Sequence, residues 1–154
     1  AAVFRVVARS VGRVVGRVVV AWSGYAVRKR MTERRGQLGK TRLVLSVERL
    51  DYTKGILEKL EAWEQLLLQH PELHGKVTLM VVCVPAAREM TIYRTLQNEI
   101  EQAVGRINGR YAEVGWSPIQ FFFRGFPFEE LVAYYAMADV MWITPLRALS
   151  LIHI

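Results

Sequence analysis

The sequence contains a single cysteine, Cys83, which lies within an apolar run. One cysteine cannot form a disulfide within the chain, and it cannot supply the cluster of cysteines that structural zinc sites use. No apolar stretch reaches the roughly 18 uncharged residues that a membrane-spanning helix needs. These absences exclude a disulfide-stapled fold and a zinc-cluster fold. They predict a cytoplasmic protein that has no membrane partner.

Acidic residues are nearly absent from the first part of the chain. Residues 1–36 contain nine Lys and Arg but one acid, which gives a net charge of +8. Residues 37–154 contain twelve basic and thirteen acidic residues, which gives −1. The +7 of the whole chain therefore belongs to one end, and no uniformly basic face for nucleic acid is expected. Nucleic-acid binding through residues 1–35 stays open as a weaker alternative.

Residues 1–24 have no assignment to a fold from the sequence. Arg5, Arg9, Arg13 and Arg17 recur every four residues among Val, Ala and Gly. As a helix they would form the basic stripe of a membrane-surface or transit-type segment, but Val is a poor helix former. A disordered segment and an out-of-frame reading of GC-rich DNA are the alternatives. We expect 148–154 to be an adapter-derived tail, because it lacks turn chemistry and its last six residues can be encoded by a sequencing adapter.

Between these ends, apolar runs alternate with helical patterns. Strands are predicted at residues 43–47, 76–84, 119–123 and 140–144. Helices are predicted at residues 25–38, 56–69, 88–111 and 128–138. This alternation predicts an α/β fold with a Rossmann-like parallel sheet and right-handed crossovers. The G-x-G-x-x-G turn of dinucleotide sites is absent after the first strand.

The segment E-R-L-D-Y-T-K-G, at residues 48–55, joins the first of these strands to its helix. Open α/β sheets bind ligands at the carboxyl ends of their strands. Here Arg49 and Lys54 flank Asp51, and Gly55 closes the turn before the helix. Two cations beside a helix N-terminus suit a phosphate or a diphosphate. The spacing alone is equally compatible with an ordinary loop whose charges are solvated.

Four sequence blocks resemble the trehalose-6-phosphate synthases of glycosyltransferase family 20. They are S-V-E-R-L-D-Y-T-K-G-I at 46–56, V-P-A-A-R at 84–88, V-G-R-I-N-G-R-Y with G-W-S-P at 104–118, and A-D-V-M-W-I-T-P-L-R at 138–147. The blocks are collinear, and the resemblance covers residues 26–147. It implies a GT-B fold, in which two Rossmann-like domains face each other across a cleft. Residues 25–147 would be an incomplete second domain that binds a nucleotide sugar.

The resemblance also implies an activity and a set of site residues. The family transfers glucose from UDP-glucose to glucose 6-phosphate, with retention at the donor carbon and without a metal or another cofactor. By resemblance, Arg49 and Lys54 are the catalytic cations that bind the donor diphosphate and stabilise its developing charge. Arg88 matches an arginine that binds the acceptor phosphate. Arg124 and Phe126 lie where the family forms part of its uracil pocket.

Other residues of the blocks are expected to be structural. Asp51 is expected to orient its loop, and Asp139 to begin a strand. For Arg106 and Asn108, a structural role at the helix end is at least as well supported as ligand contact. Trp116 is most simply explained by packing.

The chain departs from the family pattern after residue 147. Ala148 stands where the family has the Asp of D-G-M-N-L, and neither a later donor-ribose glutamate nor the family's N-terminal domain is present. We therefore expect no synthase activity from the chain alone. Its expected partners are small-molecule substrates and the N-terminal domain of the same enzyme, and homo-oligomers stay open. Another GT-B glycosyltransferase, such as a glycogen-synthase-like enzyme, and a non-catalytic synthase-like regulatory domain are the alternative interpretations.

Overall fold

The computed structural model of the chain describes residues 25–85 and 91–144. The helices are α1 (Tyr25–Leu38), α2 (Ile56–Gln69), α3 (Thr91–Tyr111) and α4 (Phe128–Met137). The strands are β1 (Arg42–Arg49), β2 (Val77–Val84), β3 (Ile119–Phe122) and β4 (Val140–Met141). Short 3₁₀ turns at Tyr52–Lys54 and Pro71–Leu73 follow β1 and α2. Within the described ranges, no helix combines the length and the apolar character needed to cross a membrane.

These four strands form one parallel sheet in the order β3-β2-β1-β4. β1 and β2 pair along their whole length, from Arg42 opposite Val77 to Arg49 opposite Val84. The predicted Rossmann-like parallel sheet is therefore confirmed. Because parallel strands end on the same side, the segments that follow all four strands lie along one edge. We call this the carboxyl edge and the opposite side the amino edge.

Helices cover both faces of the sheet, which explains the apolar run of β2. Val81 and Cys83 pack in one buried cluster with residues of α2 and α3, whereas Met80 and Val82 pack with residues of α4. Successive side chains of a strand point to opposite faces, so a strand covered on both faces is apolar throughout. Trp63 of α2 is 2% exposed at the centre of the first cluster.

The block at residues 104–118 is structural and belongs to the amino edge. The Asn108 side chain donates to the carbonyl of Ile119 and accepts from its amide, both at 3.0 Å, where β3 begins. Arg106 binds Glu64 of α2. The Trp116 indole donates to the carbonyl of Val77 at 3.0 Å. These contacts show that Arg106, Asn108 and Trp116 tie elements together, and they hold the block on the side opposite the candidate site.

Asp139 also has the structural role expected from the sequence. Its carboxylate accepts from the amide of Leu43 at 2.8 Å, and its own amide donates to the carbonyl of Leu43 at 2.9 Å. This pair of bonds fixes the start of β4 beside β1.

Several boundaries of strands and helices differ from the sequence prediction. β1 extends to Arg49 rather than to residue 47, because it pairs with β2 as far as Val84 although its last two residues are charged. Within the described residues, β4 ends at Met141 rather than at residue 144, since its ladder with β1 there consists of Val140 opposite Val44 and Met141 opposite Leu45. β3 and α4 each end one residue earlier than predicted, and β2 begins one residue later.

Ile92 shares the apolar stripe of α3 with Ile100 and Ile107, but the structure does not bury it. Its side chain is 55% exposed, whereas Ile100 and Ile107, further along the same helix, are fully buried. Ile92 lines a cleft at the carboxyl edge, whereas Tyr93 and Leu96 in the same turns pack against the core. The predicted start of this helix, residues 88–90, lies outside the described residues.

Candidate functional site

The turn that follows β1 has a fixed backbone. The amide of Leu50 donates to the carbonyl of Val84 at 2.7 Å, which holds the end of β1 against β2. One carboxylate oxygen of Asp51 accepts from the amide and the hydroxyl of Thr53, at 2.9 and 2.8 Å. Gly55 has a φ of 65°, a left-handed conformation that glycine adopts without strain, and α2 starts at the next residue. The predicted role of Asp51 in orienting the loop is confirmed.

Arg49 presents its charge at the carboxyl edge. Its side chain is 63% exposed, and one guanidinium nitrogen lies 3.1 Å from the second carboxylate oxygen of Asp51. The hydrogen bond from the Thr53 amide is the main cause that holds the pKa of Asp51 below its ordinary value, and Arg49 adds to it. Asp51 therefore stays ionised and anchors a cation that still reaches solvent.

Lys54 lies at the other end of the same turn. Its amide donates to the carbonyl of Asp51 at 3.0 Å, and its carbonyl accepts from the Thr144 hydroxyl at 3.5 Å. The turn is therefore tied to the segment that follows β4, across the carboxyl edge. Arg49 and Lys54 are brought to one edge of the sheet on one short turn, as the sequence predicts.

Arg124 and Phe126 lie at the same edge, after β3. The Arg124 guanidinium is 4.8 Å from the ring centre of Phe126 and 5.8 Å from that of Phe122. Phe126 in turn packs edge-on against Tyr134 of α4, with ring centres 5.3 Å apart. β3 is two strands away from β1, a separation of roughly 10 Å. The result is a cation-and-aromatic surface at the same edge of the sheet as the turn.

Arg88, the predicted acceptor-phosphate residue, lies outside the described residues. It follows β2, whose last residue Val84 pairs with Arg49.

A cleft of about 380 Å³ separates the turn from the first turns of α3. It has an apolar floor that includes Ile56, Leu57 and Leu96, and it has Glu58 and Glu99 among its lining residues. Arg49 and Lys54 do not line it. The cleft is thus acidic, and it is separate from both cations of the turn. Within the described ranges, no group of three or more His, Cys, Asp or Glu side chains is arranged to hold a metal.

A buried ion pair beneath the turn was missed by the sequence analysis. Lys59 of α2 donates to the Ser46 hydroxyl at 2.6 Å and to the Glu48 carboxylate at 2.7 Å. Burial lowers the pKa of Lys59, and the charge of Glu48 opposes that change. The signal was present in the sequence: Lys59 occupies a core-facing position of α2 beside Leu60, and Ser46 and Glu48 are two residues apart on one strand face.

Comparisons with known proteins agree with these features. The sequence pattern of glycosyltransferase family 20 matches residues 2–152. A glucosylglycerol-phosphate synthase of Pseudomonas anguilliseptica is 76% identical over 99 residues, which cover 64% of this chain and 13% of that protein. A glucosylglycerol-phosphate synthase of Synechocystis is 45% identical over 122 residues, which cover 79% of this chain and 24% of that protein. The chain thus spans a quarter or less of these curated relatives.

A solved structure gives the same result for the fold. The crystal structure of a UDP-forming alpha,alpha-trehalose-phosphate synthase from Burkholderia xenovorans superposes with a TM-score of 0.74 at 35% identity, over 79% of this chain and 28% of that one. The fold is therefore a partial Rossmann-like domain of a GT-B glycosyltransferase. Since the family pattern spans nearly the whole sequence, this chain belongs to glycosyltransferase family 20.

Proposed function

We propose that this chain supplies the donor-binding part of a glucosyltransferase, with Arg49 and Lys54 holding the diphosphate of a nucleotide-glucose. The observation that carries the proposal is the placement of both cations on one braced turn at the carboxyl edge, with Arg49 63% exposed. When the bond between the glucose and the diphosphate breaks, the leaving nucleotide gains negative charge. Fixed cations stabilise that charge without reorganising, so they lower the barrier. The acceptor hydroxyl oxygen forms the new bond to glucose and loses its proton.

Arg124 and Phe126 would contact the nucleoside in this proposal. A guanidinium stacked on an aromatic ring offers a flat surface to a base and a cation to nearby oxygens. The solved relative is named a "UDP-forming" synthase, and this favours UDP-glucose as the donor of the present chain. Other nucleotide-glucose donors bind through the same diphosphate, so the turn itself does not discriminate between them.

The acceptor that we favour is glycerol phosphate, which replaces the glucose 6-phosphate expected from the sequence blocks. The relatives at 76% and 45% identity carry the name glucosylglycerol-phosphate synthase, whereas the solved trehalose-phosphate synthase is 35% identical. Glucose 6-phosphate is the second candidate. Both acceptors carry a phosphate monoester, so Arg88 suits either one and does not decide between them.

Two experiments test this proposal. Titration of the isotope-labelled chain with UDP should shift the backbone amide signals of Leu50 and Thr53 and those near Arg124, and leave Gly39 and Thr41 at the amino edge unchanged. Shifts confined to the amino edge, or none at millimolar UDP, would refute the donor site. Incubation of the full-length enzyme that carries this chain with a nucleotide-glucose and either glycerol 3-phosphate or glucose 6-phosphate, followed by mass spectrometry, identifies the acceptor. Trehalose 6-phosphate as the dominant product would overturn our preference.

A further inference from the structure

We infer that Lys59 is a positioning residue that sets the path of the Arg49–Lys54 turn by joining the strand before it to the helix after it. The link to donor binding rests on the function proposed above. The bonds of Lys59 themselves do not depend on it.

Lys59 contacts both ends of the turn: its backbone bonds the start of α2, and its side chain bonds the end of β1. Its amide donates to the carbonyl of Gly55 at 3.0 Å, which sets the first turn of α2. Its ammonium lies 2.6 Å from the hydroxyl of Ser46 and 2.7 Å from a carboxylate oxygen of Glu48. Ser46 and Glu48 belong to β1, so this one side chain closes the loop between β1 and α2. Glu48 immediately precedes Arg49, and any movement of Glu48 is therefore passed to Arg49.

The pair is buried and mutually dependent. The Lys59 side chain is 0% exposed and that of Glu48 is 6% exposed. The second carboxylate oxygen of Glu48 is buried without a hydrogen-bond partner among the described residues. The thiol of Cys83, opposite Glu48 in the sheet, faces the same pair and stays neutral, because burial raises its pKa to about 12. Glu48 therefore depends on Lys59 for neutralisation, and loss of either partner leaves a buried charge unpaired.

The same location in the core would accept apolar side chains. Lys59 lies among Ile56, Leu60 and Trp63, all of which are buried. Replacing a buried ion pair with apolar residues of similar size is often neutral or stabilising, so stability alone does not explain why charges occupy this position. Two short, directed hydrogen bonds fix one arrangement of the helix start relative to the strand end, whereas apolar contacts would allow several.

The test separates positioning from stability with a double variant and a matched control. In Glu48→Leu/Lys59→Met, the pair is replaced by apolar side chains. The control is Glu64→Gln, which weakens the ties of α2 to Arg106 and Arg110, away from the turn. Urea unfolding, calorimetry with UDP and amide hydrogen exchange at Thr53 are measured on each protein. Ser46→Ala, which keeps the ion pair but removes the 2.6 Å bond, is the milder variant if the double variant does not fold.

We expect the double variant to keep the unfolding midpoint, to bind UDP at least about tenfold more weakly and to exchange the Thr53 amide faster, since displaced cations lose their ligand contacts. Ser46→Ala should change both readouts in the same direction by about threefold. Glu64→Gln should lower the midpoint and leave UDP affinity unchanged. In the double variant, a further Arg49→Ala substitution should lose less affinity than it does in the original chain.

Unchanged UDP affinity and unchanged Thr53 exchange in a folded double variant would overturn the positioning role. Additive effects of Arg49→Ala and the double variant would overturn its action through Arg49. If the original chain binds no UDP, the donor-site proposal fails, and Thr53 exchange alone decides: faster exchange in the double variant supports positioning of the turn, and unchanged exchange refutes it.

Discussion

The guanidinium of Arg49 lies 3.1 Å from one carboxylate oxygen of Asp51, whose other oxygen accepts two hydrogen bonds from Thr53. One acid therefore caps the 3₁₀ turn and anchors the exposed cation. This couples the backbone of the turn to the direction of the charge that it presents.

Asp51→Ala should destabilise the fold. The variant removes the cap of the 3₁₀ turn and the partner of Arg49, and loss of such a cap costs about 0.5–2 kcal/mol. Urea unfolding at neutral pH measures the difference. An unfolding free energy equal to that of the original chain would mean that the cap does not hold the turn in solution.

The effect of Asp51→Ala should depend on pH. The pKa of Asp51 in the folded chain is lowered from its ordinary value of 3.8, mainly by the Thr53 amide. A lowered folded pKa stabilises the protein fully above the unfolded pKa, and that stabilisation is lost as the pH falls toward the folded pKa. The stability gap between the original chain and Asp51→Ala should therefore be constant above about pH 5 and narrow below 3.8. A gap that widens on acidification would contradict this cause.

Gly55→Ala should destabilise the fold by about 1–2 kcal/mol, because the left-handed conformation at a φ of 65° is strained for alanine. Gly105→Ala is the matched control. Gly105 lies inside α3, and an added methyl group there meets no atom within 4 Å. In the helix interior, alanine is favoured over glycine by about 0.5–1 kcal/mol, so the control should be stabilised. Thermal unfolding should show a lower melting temperature for Gly55→Ala and a higher one for Gly105→Ala. Changes in the same direction for both variants would contradict this account.

Asn108→Ala should affect stability without affecting nucleotide binding. The variant leaves the amide and the carbonyl of Ile119 without their partner, at a cost of about 1–3 kcal/mol. Because these bonds lie at the amino edge, UDP affinity should be unchanged when the variant is folded. A selective loss of UDP affinity, with stability retained, would indicate that Asn108 contacts the ligand.

Cys83 should be unreactive in the folded chain. Its side chain is 0% exposed, and burial raises its pKa to about 12, so almost no thiolate forms at pH 8. Iodoacetamide should label it only after unfolding in urea, as detected by mass spectrometry. Rapid labelling without denaturant would show that the β2 core opens under native conditions.

The predictable parts of the structure are those in which each residue follows the local pattern. The limits of α1 and α2 agree with the sequence prediction. Gly39 and His70-Pro71, which are residues that commonly end helices, directly follow the last residues of these two helices. Asp51, between a strand and a short turn, is a common capping position, so its role could be inferred.

The missed features depend on which residues of different elements meet, and the periodicity of a single element does not show that. Lys59 is charged, and a charged helical residue is ordinarily interpreted as exposed. Inside the core, however, the Glu48 carboxylate of β1 neutralises it and the Ser46 hydroxyl accepts a hydrogen bond from it. Ile92 fits the apolar period, yet it lies where α3 lines the cleft rather than the sheet. Trp142 and Ile143 continue the apolar pattern, but the described pairing of β4 ends at Met141 opposite Leu45, although β1 continues to Arg49.

The central claim is that Arg49 holds the diphosphate of the donor, and Arg42 offers a matched control on the same strand. Arg42 and Arg49 are the first and last residues of β1, and both are exposed, but Arg42 lies at the amino edge. Calorimetric titration with UDP of Arg49→Ala, Lys54→Ala and Arg42→Ala compares equal losses of charge at opposite edges. We predict at least about a tenfold loss of affinity for Arg49→Ala and Lys54→Ala, since a hydrogen bond to a charged group contributes about 1.5–3 kcal/mol, and no loss for Arg42→Ala. Equal affinities in Arg49→Ala and Arg42→Ala would contradict the assignment of the donor site.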